Sequence, residues 1–220
     1  MRCRAVECWV APMRYCATRC LLCTDVLPCR ESLGRVFADA TMGCGRWGED
    51  NRVADEDYMR MALAEARLAA DEGEVPIGAV VVYEGEVIAR AHNRREKDRD
   101  PSAHAEFSAL LAAARALDRW RLTGCTVYVT LEPCLMCAGL MVNSRIDRCV
   151  FGAPDPKGGA LGTLFDVSHD ERLNHEFEAA GGVLQDECAA VLREFFRARR
   201  QAAKAAKKKG PGDAEAPACC

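Results

Sequence analysis

Four side chains in this sequence have the types and spacing to do chemistry together: His104, Glu106, Cys134 and Cys137. One imidazole and two thiolates form a donor set suited to zinc. Three protein donors leave the fourth tetrahedral position open, as in a catalytic site rather than a closed structural one. Zinc lowers the pKa of a bound water from about 15.7 to about 7, roughly 12 kcal/mol towards hydroxide. A carboxylate acting as general acid and base contributes about 10²–10⁴-fold. In such a site the metal carries most of the activation and Glu106 moves protons. Taken singly, the signals are ordinary. A lone histidine on a helix is most often a packed or solvated residue, and a lone Cys-x-x-Cys serves equally as a redox pair or half of a structural zinc site.

The elements that must position these residues are two helix starts. Pro101-Ser102 supplies the first, with Ser102 as N-cap of a helix to about Leu117 and with His104 and Glu106 in its first turn. Pro133, at a first helical position, opens a second helix to about Ser144. Cys134 and Cys137, three apart, then face one way, and a helix N-terminus favours their thiolate form. Spacing alone does not bring His104 and Glu106 together, since positions i and i+2 of a helix point about 200° apart.

Around this pair of helices the pattern is regular. Tyr58, Met61, Ala62, Ala66 and Ala69 predict a helix over 55–71, stopped by Gly73. Runs over 77–83 and 86–92 predict a hairpin turned by Glu84-Gly85, followed by a charged loop over 93–100. Strands are expected over 126–131 and 148–153, a glycine-rich loop over 155–162, a weak fifth strand over 176–180 and a long helix over 185–207. Strands alternating with helices give an α/β class.

Length and composition bound the rest. Half of the 220 residues are apolar and 29% are charged, which provides for a packed domain and excludes wholesale disorder. No apolar run approaches the roughly 18 to 20 residues that span a bilayer. Net charge is −3 but uneven: +1 over residues 1–51, −9 over 52–192, +7 over 193–209 and −2 beyond. An acidic body with one basic segment points to a local anionic partner. Residues 1–51 hold seven of the fourteen cysteines and no sustained period, and read as a disordered Cys/Arg-rich extension. Cys16, Cys20, Cys23 and Cys29 make a poor zinc knuckle without a histidine or a matching second half. Frequent arginine suits an organellar presequence, against which Glu7, Asp25, Glu31 and Asp39 argue. Without a secretory apolar stretch, free thiols in a reducing cytosol are expected. Residues 52–209 form the expected domain, ending in the basic helix, and 210–220 a disordered tail. Cys219-Cys220 fails the prenylation pattern because Pro217 stands where its cysteine is needed.

His104-Ala105-Glu106 followed by Pro133-Cys134-Leu135-Met136-Cys137 is the H-x-E…P-C-x-x-C signature of zinc nucleobase deaminases. The chain strongly resembles the bacterial tRNA-specific adenosine deaminases from about Asp57 to Lys208. The likeness runs through Glu74-Val75-Pro76-Ile77-Gly78-Ala79-Val80, the stretch Thr130 to Ile146, Phe151-Gly152-Ala153 with Asp155 and Lys157, and Phe195-Phe196-Arg197 with Arg199-Arg200. It implies a three-layer α/β/α cytidine-deaminase-like sandwich around a mixed sheet of about five strands, active as a homodimer whose partner helps form the RNA site; the cytoplasm and the lack of membrane contact are expected from the thiols and hydropathy above. It also implies hydrolysis of the wobble adenosine to inosine in a tRNA anticodon loop by a zinc-activated water, with one zinc per subunit. His104, Cys134 and Cys137 would bind the metal and Glu106 would shuttle protons. Asn93 would contact the flipped adenosine, with the backbone at Ala105 lining its pocket. Asp155 would touch the neighbouring nucleotide, and Phe196, Arg199 and Arg200 would meet the anticodon loop. Two departures stand out: Pro154 replaces a residue that is often basic, and the first fifty residues have no counterpart.

Plainer readings compete. The cations of the last helix suit a solvated face, Asn93 a hairpin-end turn and Asp155 a Pro-flanked turn. Two rival functions are a deaminase of free guanine, cytosine or a pyrimidine nucleotide with the same zinc core, and an inactive RNA-binding or structural zinc protein. The basic Phe/Arg helix counts against the first, since a free base needs no phosphate-holding surface. Glu106 counts against the second, since a closed site needs no general base.

Overall fold

The structure, a computed structural model, describes residues 49–208. The readings made above for 1–48 and for the tail after Lys208 lie outside them. The elements follow as α1 (Glu49–Asp71), β1 (Gly78–Tyr83), β2 (Glu86–His92), α2 (Arg95–Asp98), α3 (Ala105–Ala116), β3 (Cys125–Leu131), α4 (Leu135–Ser144), β4 (Arg148–Ala153), β5 (Glu178–Gly181) and α5 (Gln185–Lys208). Glu84 and Gly85 both take positive φ, 51° and 80°, and this turns β1 into β2 with the twist a tight hairpin needs. The five strands lie in the order β2-β1-β3-β4-β5. β1 runs antiparallel to β2 and β3, whereas β3, β4 and β5 are parallel. β3 passes to its parallel neighbour β4 through the crossover helix α4, whereas β4 reaches β5 through the long loop over 154–177.

Alternation along the central strands makes the two cores. Ala79, Val81, Val127, Val129, Cys149 and Phe151 point to the face covered by α3 and α4, through Ala109, Leu110, Ala138 and Met141. Val80, Val82, Tyr128 and Val150 point to the other face, against Met59, Ala62 and Leu63 of α1 and Cys188 of α5. The fold is therefore a cytidine-deaminase-like α/β/α sandwich on a mixed five-stranded sheet, as expected. At Gly152 of β4, a Cβ would fall 2.3 Å from the sulfur of Cys188, so α5 seats this closely only over a glycine.

One polar fork ties the layers. Asp55 of α1, 7% exposed, accepts hydrogen bonds from Arg148 Nη1 and Nη2 at 2.8 and 2.9 Å and from the Tyr128 hydroxyl at 2.7 Å. Asp55→Ala leaves a guanidinium and a phenol without their acceptor. It is expected to lower unfolding free energy by about 3 kcal/mol, measured by urea denaturation, moderated because Arg148 is partly exposed and keeps Glu178.

Candidate active site

His104 and Cys134 occupy equivalent places. Each precedes a helix in extended backbone, at φ −75°, ψ 150° before α3 and φ −76°, ψ 170° before α4. This corrects the expected helix starts. Ser102 is no N-cap; its N–H and hydroxyl donate to Asp100 Oδ1 at 2.8 and 2.7 Å in a turn, and α3 begins only at Ala105. Cys134 likewise stands outside its helix, and only Cys137 lies within. The correction removes the i, i+2 difficulty: His104 is off the helical screw while Glu106 is on it, so their side chains need not diverge. Neither cap side chain bonds its own helix's amides, which leaves ring and sulfur free to meet each other.

They do meet. His104 Nδ1 lies 3.7 Å from Cys134 Sγ and 3.6 Å from Cys137 Sγ, and the three donor atoms all fall within 4.8 Å of one another. A tetrahedral zinc with bonds of about 2.05 Å to nitrogen and 2.3 Å to sulfur requires about 3.6 Å between them. The residues fit the metal. Cys134 is held down to about 3, first by the hydrogen bond from Cys137 and then by that of His104, against its burial. Cys137 moves up for the reciprocal reason, and the His104 imidazole is raised by its bond to Cys134. A dication held by the three donors would supply the charge that lets both sulfurs stand as thiolates.

Glu106 is 4% exposed, and its Oε2 is buried with no hydrogen-bond partner among the described residues. Burial pushes its carboxyl up to about 7, opposed by the charge of His104. A buried orphan acceptor is costly to keep and uncommon; beside three metal donors it has the character of a proton carrier.

The remaining predicted residues divide. Asn93 is buried at the end of β2. Its N–H donates to Ile77 O at 3.0 Å, its Nδ2 to Glu74 Oε2 at 3.1 Å, and the next amide, of Arg94, to Ala103 O at 3.0 Å. Asn93 and His104 are thereby held on adjacent segments. The Ala105 side chain is wholly buried in the core under α3, which leaves only its backbone to face a ligand. Asp155, Phe196 and Arg200 share the lining of one cleft of about 690 Å³ with Val75, Pro154 and Lys157. Arg199 does not line it; its guanidinium stands 5.6 Å over the Phe195 ring. Two buried acids were missed by sequence reasoning: Glu74, which orients Asn93, and Glu132, which binds the loop after β4.

Comparison with known proteins agrees with this geometry. Residues 53–200 match the MafB19-like deaminase family. A tRNA-specific adenosine deaminase of Bacillus subtilis is 54% identical over 154 residues, 70% of this chain and 96% of its own. One from Aquifex aeolicus is 43% identical over 148 residues, 67% of this chain and 97% of its own. Among solved structures, a chain from work on A-to-I editing by tRNA:A34 deaminases matches with TM-score 0.60 at 43% identity, covering 62% of this chain and 99% of that one. A guanine deaminase from Nitrosomonas europaea matches with TM-score 0.54 at 28% identity, covering 64% and 83%. A triad of metal donors beside a buried acid, on this sandwich and with this likeness, leads to one assignment: the chain belongs to the bacterial tRNA-specific adenosine deaminase family.

Proposed function

We propose that the protein hydrolyses the wobble adenosine of a tRNA anticodon loop to inosine and ammonia, with one zinc per subunit held by His104, Cys134 and Cys137. The observation that carries this is the 3.6 and 3.7 Å spacing of the imidazole from two sulfurs beside the unpartnered Glu106 oxygen. Zinc in that triad supplies an acidified water. Glu106 accepts a proton from the attacking water and hands it to N1 of the ring; it then takes the proton of the new C6 hydroxyl and passes it to the amine, so that the C6–N bond breaks, ammonia leaves and C6 becomes a carbonyl. Asn93, with its Nδ2 committed to Glu74, offers its oxygen to the flipped nucleoside, and the backbone at Ala105 lines the pocket. Asp155 meets the neighbouring nucleotide. Phe196, 41% exposed on the cleft, stacks on a splayed loop base, while Arg200 and Arg199 hold phosphates.

The working form is a cytoplasmic homodimer. Its support here is the apolar surface formed by α3, the bend after it and α4, where Leu111 and Trp120 stand 40% and 57% exposed beside Leu140. Among the described residues no helix is long and apolar enough to cross a membrane.

The deciding experiment incubates the purified protein with an anticodon stem-loop bearing adenosine at the wobble position and assays inosine. Robust turnover is expected. Substrate affinity should fall with salt by about 0.7 log units per log unit for each phosphate contact. Free guanine turned over just as well, with no salt dependence, would instead make the protein a free-base deaminase.

A further inference from the structure

Glu132 follows β3 and immediately precedes Pro133-Cys134, yet it is not one of the clustered metal donors. Its residue is only 2% exposed, and an ionised carboxylate so placed persists only if its lone pairs are filled. They are filled by a single segment. The backbone N–H groups of Asp155, Leu161 and Thr163 each donate to it at 3.0 Å, and the Thr163 hydroxyl donates as well. Around this anchor the chain closes further: Ala160 N donates to Pro133 O at 2.9 Å, and Gly159 N to Asp155 O at 2.9 Å. A Cβ at Gly159 would fall 2.3 Å from Glu132 Oε2, so the loop wraps the carboxylate this tightly only with glycine there. Ala160 and Leu161 add apolar burial in the core, whereas Leu164 and Phe165 that follow are each 52% exposed.

The same loop begins with Asp155 and carries Pro156 and Lys157, which line the cleft facing Phe196 and Arg200. We infer that Glu132 is a positioning residue for RNA engagement: it clamps the 155–163 loop onto the strand end that presents Cys134, and so sets Asp155 and Lys157 at a fixed place relative to the metal donors. This rests on the assignment of the cleft to RNA. Glu132 touches neither substrate nor metal. Its loss leaves the chemistry of a bound adenosine in place and removes the preformed wall against which the flanking nucleotides dock.

The test is Glu132→Gln in the zinc-loaded full chain. Glutamine keeps the volume but turns an N–H₂ towards N–H donors, so part of the clamp is lost and part repelled. KM for the wobble-adenosine stem-loop should rise at least about tenfold with kcat within about threefold. Zinc should stay at one per chain. Hydrogen–deuterium exchange should quicken at the amides of Asp155, Leu161 and Thr163 and stay unchanged in α4. An unaltered KM with unaltered exchange overturns the inference, as does loss of zinc with faster exchange through α4, which would make Glu132 a support of the metal site. If the Gln variant fails to fold, Thr163→Val, which deletes one donor alone, should show the same KM and exchange pattern more weakly; no change there is equally fatal. If the unaltered chain leaves the stem-loop untouched, the RNA assignment has failed and the inference with it, while amide exchange still reports whether the clamp exists.

Discussion

Replacing Glu106 with Gln is expected to cut turnover by at least about 10³-fold while zinc remains bound. The expectation follows from where the carboxyl sits. Its Oε2 has no partner among the described residues, and burial holds its proton affinity near neutrality, at about 7. A bound dication draws that value down again, which keeps the group ionised and ready to accept. Glutamine fills the same volume and cannot take up a proton, so each proton movement at N1 and at the leaving amine loses its carrier. Because Glu106 is not among the metal donors, elemental analysis should still find zinc. Single-turnover kinetics on the wobble-adenosine stem-loop measure the step directly. Activity retained within about tenfold would remove Glu106 from the mechanism.

Cys137→Ala carries the second large effect. Cys137 is wholly buried in the first turn of α4, 3.6 Å from His104 Nδ1. Its removal leaves two donors, too few for a tetrahedral site with one open position. Purified variant should contain little zinc and show activity at least about 10⁴-fold down, since the activation of water is lost with the metal. Cys149→Ala is the matched control. Cys149 is equally buried on β4, its thiol pushed up by burial, but it stands outside the triad. That variant should lose about 1–3 kcal/mol of stability and keep its zinc. Equal zinc content in both variants would displace the metal from the proposed donors.

Much of this was legible in the chain, and the parts that were not share a cause. β2 and β4 fall where alternation and turn signals put them, at Glu86–His92 and Arg148–Ala153. The fifth strand moved to Glu178–Gly181, because Phe177 instead gives its N–H to Ser168 O and Glu178 pairs in register with Arg148. The charged stretch after Asn93 hides the short α2. Its stabilisers are remote: Glu72 pairs with Lys97 and Arg94, and Glu74 accepts from Lys97 N at 2.7 Å. The ligand residues were found by type and order, but not their conformation. Period-based reasoning placed His104 and Cys134 inside helices when both stand just before them. Glu74 and Glu132 went unread because their partners are groups 19 to 31 residues away. A signal did exist: Glu132 is an acid set between the apolar end of a strand and a proline, where solvent is not expected.

α5 packs on the sheet face opposite α3 and α4, through Cys188 and its neighbours, and every residue of it from Phe196 to Lys207 is exposed. On the function proposed above, catalysis and RNA addressing thus occupy opposite sides of one wall, joined at the strand ends and by the loop after β4. Such a layout lets the terminal helix drift, lengthen or be exchanged, retargeting the enzyme to other nucleic acids without disturbing the reaction it performs.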